Sequence, residues 1–265
     1  MMLNDKTVAA YTAILREELL LATGCTEPIA VAYCAAKLRE VLGGKPEEVL
    51  AEVSGNILKN VKSVVVPNTN GRRGIGAAIA VGIVAGDADA ELQVIANVTE
   101  EDAAAIQGYL DATPIKVTCP ETPCLLDIFL HGKRAGHTAA VRVANNHTNI
   151  IYIEKDGQIL LEKPLTANAE DNLQDKSVLN VKDILTYAET VPLSAIQPVI
   201  GRQIACNTAI AEEGLRNSWG ANIGSTLLQS SDNIETQARA WAAAGSDARM
   251  NGCEMPVVIC SGSGN

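Results

Sequence analysis

Aromatic side chains are scarce in this 265-residue chain, at 3% of positions: one Phe, five Tyr and two Trp. The core must therefore be built from Ala, Val, Ile and Leu, a composition suited to helices that approach closely through small residues. Basic residues are also in short supply. Lys and Arg number 21 against 31 Asp and Glu, a formal net charge of −10, which argues against nucleic acid or anionic lipid as the main partner. Long apolar runs are missing too. The apolar run from Ala77 to Gly86 covers ten residues, about half of the roughly 20 that a membrane-spanning helix needs. The N-terminal Met1-Met2-Leu3-Asn4-Asp5-Lys6 has neither the basic start nor the apolar middle of a secretory signal. A soluble, cytoplasmic protein is expected. The seven cysteines (25, 34, 119, 124, 206, 253, 260) form an odd set without a regular framework, so thiols, ligands or catalysts are expected in place of disulfides.

The spacing of Val8, Tyr11, Leu15 and Leu19 predicts a helix from Lys6 to Leu21 with Asp5 as N-cap, ended by Gly24. A second helix is expected to start at once: Thr26 is a suitable cap, Glu27 suits the positive helix end, Pro28 is tolerated in the first turn, and Gly43-Gly44 stop it. The β-branched residues between Val49 and Val66 predict strands followed by a polar turn at Pro67 to Gly71. Next come a small-residue helix over 74–86, a strand over 91–98 and a helix over 99–110. Between Ile115 and Leu165 five strand-length runs alternate with Gly, Asn and Asp turns, Lys155-Asp156-Gly157-Gln158 giving a strong hairpin signal. The polar stretch 166–176 is the linker candidate, and the chain beyond it reads as helices. The expected class is α+β: a mixed α/β N-terminal region with antiparallel strands, then an all-helical region, with domains over 1–175 and 176–265.

The sharpest local signal is Gly24-Cys25-Thr26-Glu27-Pro28. A thiol at a helix N-terminus meets unpaired N–H groups, which favours thiolate and makes it a better base or nucleophile; the plain alternative is a helix start that includes a Cys. Asn56, Lys59 and Asn60 place amide donors and an ammonium at a strand-to-loop edge, with Lys59 suited to an anion. His147 in Asn145-Asn146-His147-Thr148-Asn149 is the histidine best placed for acid–base work, a surface turn being the alternative. Arg249 offers a fork for a substrate carboxylate, with Asp247 two residues before it, or the two form a local ion pair. The terminal Ser261-Gly262-Ser263-Gly264-Asn265 can present consecutive N–H groups to an anion. Gly71-Arg72-Arg73-Gly74-Ile75-Gly76 has its glycines spaced unlike a dinucleotide loop, and neither a Walker lysine motif, HExxH nor GxSxG is present. The cysteine pairs 119/124 and 253/260 are weak evidence for a zinc site, which needs a full set of four ligands.

Taken in order, Gly24 to Pro28, Asn56 to Asn60, His147 to Ile150, Ser246 to Met250 and Ser261 to Asn265 resemble the L-cysteine desulfidase family, which is related to the alpha portion of iron–sulfur L-serine dehydratases. The resemblance implies a lyase that converts L-cysteine to pyruvate, ammonia and sulfide with a 4Fe-4S cluster and without pyridoxal phosphate. It implies Cys25 as the catalytic cysteine, and a substrate pocket gathering Thr26, Glu27, Asn56, Lys59, Asn60, His147, Thr148, Asn149, Asp247, Arg249, Ser261, Gly262, Ser263 and Asn265. In that family the cluster cysteines lie downstream of the Ser-Gly-Ser-Gly-Asn motif. No metal ligand is therefore expected within this chain, which is expected to be a C-terminally truncated form, inactive alone. The alternatives are an L-serine dehydratase-like deaminase and a non-catalytic fragment or subunit that binds a small amino acid. A homodimer, or a complementing C-terminal half, is the expected assembly.

Overall fold

The computed structural model describes residues 3–166 and 174–260. Helix α1 (Asp5–Glu18) starts from Asn4, whose side chain accepts the Thr7 N–H. It stops short of the expected Leu21, and Leu19–Thr23 is strand β1 instead. The reason is non-local. Strand β1 pairs antiparallel with β8 (Pro256–Cys260), Leu19 opposite Cys260 and Thr23 opposite Pro256, so a ladder partner more than 230 residues away overrides the helical spacing.

Helix α2 (Thr26–Leu42) is the centre of the molecule. Ile29, Ala30, Val31, Ala32, Cys34, Ala35, Ala36 and Leu38 all lose their solvent exposure, which marks a helix covered on every side. One side lies on a sheet. The other meets α4 (Gly74–Ala85), a helix without a charged residue, so closely that a Cβ on Gly82 would stand 2.2 Å from the Ala32 carbonyl oxygen. Among the described residues no helix is long and apolar enough to cross a membrane.

Between these helices β2 (Glu48–Val53) leads into α3 (Gly55–Val61), where a strand was expected. Ser54 explains the switch: its Oγ accepts from the Ile57 N–H and donates to the Leu125 carbonyl, a cap that outweighs the β-branched composition. The expected strand over 91–98 is likewise absent, and Ala88–Gln93 forms a short 3₁₀ helix. Helix α5 (Glu100–Ala112) has the expected start, a capping box between Thr99 and Asp102.

The main sheet adds β3 (Ile115–Thr118), β4 (Asp127–Arg134), β5 (His137–Ala144), β6 (Ile150–Lys155) and β7 (Gln158–Glu162) in the order β3-β2-β4-β5-β6-β7. Only β2–β3 is parallel; the rest is antiparallel. The β6–β7 hairpin turns on Asp156 and Gly157, both in the left-handed region, as its sequence requires. Ile128, Leu130, Val141 and Val143 face α2, and the alternate residues face away.

Beyond the expected linker come α6 (Val181–Thr190), α7 (Leu193–Ile196), α8 (Arg202–Arg216), α9 (Ile223–Ser230) and α10 (Ile234–Met250), ahead of β8. The expected class holds, a mixed α/β region with antiparallel strands and then helices, but the last region is not all-helical, because β8 closes it by pairing with β1. Ile210, Ala248, Cys253, Val257 and Ile259 enter the same core cluster as α2 and α4, so the last helices and β8 frame the start of α2.

Candidate functional site

Strand β1 ends at Thr23, and Gly24 reverses the chain at φ +70°. Only glycine serves here. A Cβ at Gly24 would lie 2.4 Å from Pro67 Cγ, besides the strain of a left-handed backbone. The turn makes Cys25 the N-cap residue of α2, one position before the expected cap at Thr26, with its thiol buried.

Three other segments converge on this helix start. Cys25 Sγ donates to Glu27 Oε2 at 2.9 Å, and Thr26 Oγ1 donates to the same oxygen at 3.3 Å. From α3, Asn60 Nδ2 donates to Glu27 Oε1 at 3.1 Å, so both carboxylate oxygens are held. From α10, the buried Arg249 donates through Nε to the Gly24 carbonyl at 2.8 Å and locks the turn that presents Cys25. From the β5–β6 turn, His147 comes close enough to feel the charges of both Glu27 and Arg249.

The thiol behaves opposite to the expectation from the helix end. Burial, the Glu27 charge and the side-chain hydrogen bond to Glu27 push Cys25 up to about 12, and the Glu27 backbone N–H and the Arg249 charge offset only part of this. The resting site therefore holds a protonated thiol. Burial works against ionisation of Glu27, but the hydrogen bonds from Cys25, its own backbone and Asn60, with the nearby His147, outweigh it and keep the carboxyl below its ordinary range. Burial and Arg249 lower His147 despite the pull of Glu27, so the imidazole is neutral at pH 7. The site thus combines a neutral thiol, an ionised carboxylate and a neutral imidazole beside a fixed guanidinium. Such a set can pass a proton among its members.

The raised thiol has a measurable consequence. Thiolate at Cys25 forms only as pH rises toward about 12, so its iodoacetamide labelling should be negligible at pH 7.5 and climb about tenfold per pH unit above it. Exposed Cys119 is the internal reference for access. Peptide mass mapping across pH 7 to 10 checks this; Cys25 labelling as fast as Cys119 at pH 7.5 would overturn the buried, protonated assignment.

Other expected site residues lie elsewhere. Lys59 is exposed on α3, and Asn56 borders a separate open cavity of about 410 Å³ with Ser54, Thr122 and Cys124. Asp247 turns to α9, where its Oδ2 accepts the Ile223 N–H at 2.9 Å. Thr148 and Asn149 are half-buried in the His147 turn, where Asn149 Nδ2 donates to the Ala144 carbonyl and its Oδ1 accepts from Lys163. Ser261, Gly262, Ser263 and Asn265 lie outside the described residues. Sequence reasoning passed over the Gly24 carbonyl as the anchor of Arg249; the glycine directly before Cys25 was the available signal.

A 4Fe-4S cluster needs cysteine thiolates grouped around it. Among the described residues no group of three or more His, Cys, Asp or Glu is placed to hold a metal. Cys34 is buried with its thiol directed to the Val141 carbonyl at 3.3 Å, and Cys124 points to the Thr166 carbonyl at 3.6 Å. The described residues do not fit that cluster.

Residues 89–265 match the model of the family described as serine dehydratase alpha chain. A UPF0597 protein of Treponema denticola is 44% identical over 272 aligned positions, covering 100% of this chain and 63% of its own length. A UPF0597 protein of Desulfitobacterium hafniense is 46% identical over 263 positions, covering 99% of this chain and 61% of its own, and one of Finegoldia magna is 45% identical over 257, covering 96% and 61%. The chain thus spans less than two thirds of the length of these relatives. No solved structure matches it.

Proposed function

Since the chain belongs to the serine dehydratase alpha chain family, we propose that the Cys25 site belongs to a lyase that removes the β-substituent of a small L-amino acid, L-cysteine first. The observation that carries this reading is the Cys25–Glu27 hydrogen bond, set between a neutral His147 and a buried Arg249. Elimination needs a proton taken from Cα and a proton returned to the departing group. The Cys25 sulfur takes the Cα proton while its own moves to Glu27, and His147 accepts it onward and returns it to the leaving hydrosulfide. Loss of the Cα proton and the Cβ–S bond leaves aminoacrylate, which tautomerises and reacts with water to give pyruvate and ammonia. Arg249 does not swing out as a clamp in this scheme, because its Nε is spent on Gly24; its positive charge favours a substrate carboxylate at the helix start.

The family is typically part of iron–sulfur enzymes, and we assign the cluster's ligands to additional polypeptide of the kind its longer relatives possess. No step is routed through it. L-Serine is the second reading, favoured by the family's own description.

The test is turnover by the protein at the full length of its relatives, prepared anaerobically with iron and sulfide. Pyruvate with equimolar sulfide from L-cysteine, exceeding pyruvate from L-serine, is the expected result. Faster pyruvate from L-serine would move the assignment to a dehydratase. Pyruvate from neither would remove the lyase reading.

A further inference from the structure

The side of the main sheet turned away from α2 carries a row of paired residues, one from each of five neighbouring strands: Glu52, Phe129, Arg142, Tyr152 and Glu162. Phe129 is the only phenylalanine in the chain, yet it lies here and not among the aliphatic residues of the core. There the ring is half-buried among polar and aromatic side chains. The surroundings of Phe129 are also organised. Arg142 stands 5.1 Å above its ring centroid and is fixed there by two hydrogen bonds to the buried Asp127, Nε to Oδ1 at 2.8 Å and Nη2 to Oδ2 at 2.6 Å. His131 lies against it at 4.1 Å and Tyr152 meets it edge-on at 5.6 Å.

A cavity of about 630 Å³ opens over this floor, walled by Glu162, Lys163 and Leu165. That volume is in the range of small-molecule sites. The floor offers flat surfaces, a guanidinium plane and two rings, which suit a planar π system. The wall offers one carboxylate and one ammonium on adjacent residues. Those two charges match the ammonium and carboxylate of a zwitterion, whereas the chain's net charge of −10 and the nearby Glu52 and Glu154 oppose a phosphorylated ligand. We propose that this cavity is a binding site for a free aromatic L-amino acid, its ring over Phe129 and Tyr152 and its charged end between Glu162 and Lys163. The site is distinct from the Cys25 cluster, and the proposal does not depend on the lyase reading. Lys163 Nζ also donates to Asn149 Oδ1 at 3.2 Å, so the ligand's carboxylate joins an existing contact.

Isothermal titration of the full chain with L-phenylalanine tests this, with L-leucine and adenosine as the other ligands. Saturable binding of L-phenylalanine is expected, at least tenfold tighter than either. Phe129→Leu, which keeps an apolar side chain of similar size, and the exposed Glu162→Gln should each weaken it about tenfold or more, with circular dichroism unchanged. No saturable binding would overturn the proposal. Equal or tighter binding of adenosine would overturn the amino-acid class, and binding unaffected by both variants would place the ligand elsewhere. Sedimentation that shows self-association lost in Phe129→Leu would make the face a contact between copies of the chain, and the proposal would fall.

Discussion

Cys25→Ala, made in the protein at the full length of its relatives, should lower pyruvate formation from L-cysteine about 10³-fold or more, within the range set by losing a positioned proton-transfer group. The loss should appear in kcat, with KM changed little, because the thiol is engaged with Glu27 and not with a binding contact. Glu27→Gln is the companion variant. It keeps two oxygen- and nitrogen-bearing positions beside Cys25 and Asn60 but removes the acceptor for the thiol proton, and it should cost nearly as much. The pair act as a unit, so the double variant should be scarcely worse than either single one. A Cys25→Ala protein with undiminished pyruvate formation would remove the assignment, whatever its cluster content. Removing a buried thiol leaves a cavity smaller than most core truncations make, so loss of activity with an unchanged thermal midpoint separates chemistry from folding.

The second large effect is on stability. Gly82→Ala places a Cβ 2.2 Å from the Ala32 carbonyl oxygen and 2.9 Å from Ala32 Cα, both backbone atoms that cannot rotate away. Helices α2 and α4 must then separate, and their facing sides are the most completely buried in the molecule. Overpacking of this kind costs about 3 kcal/mol after the roughly 1 kcal/mol that alanine returns in helix propensity. At about 2–4 °C per kcal/mol for a chain of this size, the midpoint should fall by roughly 6–12 °C. Gly108 is the control: it lies exposed in α5 with nothing within 4 Å of an added Cβ, so Gly108→Ala should be neutral or slightly stabilising. Calorimetry on the two variants decides the matter, and an unchanged midpoint for Gly82→Ala would refute the close helix contact.

Local chemistry made much of the fold legible. Helix α5 begins where Thr99 and Asp102 complete a capping box, and the β6–β7 hairpin turns where Asp156-Gly157 can take positive φ. The misread segments share one cause. Leu19 to Thr23 continues an apolar spacing that fits a helix, yet it becomes a strand because β8 supplies hydrogen-bond partners from the far end of the chain. Val49 to Val66 is rich in β-branched residues, yet α3 forms because Ser54 is anchored at both ends, to Ile57 within the helix and to Leu125 outside it. In each case a contact between distant segments decides against the local preference.

The same division runs through the candidate site. Sequence alone determined that a cysteine stands at a helix start beside Glu27, and it singled out Asn60, His147 and Arg249 as chemically able residues. It determined as well that the core would be aliphatic and closely packed, since almost no aromatic volume was available. Only the tertiary structure decided that Asn60 and Arg249 hold Glu27 and Gly24, that Asp247 serves α9 instead, and that the one phenylalanine faces away from the core. It also decided the protonation of Cys25. A helix end favours thiolate at close range, but burial and a carboxylate 2.9 Å away depend on how the chain is packed, and together they outweigh a half-charge of backbone dipole.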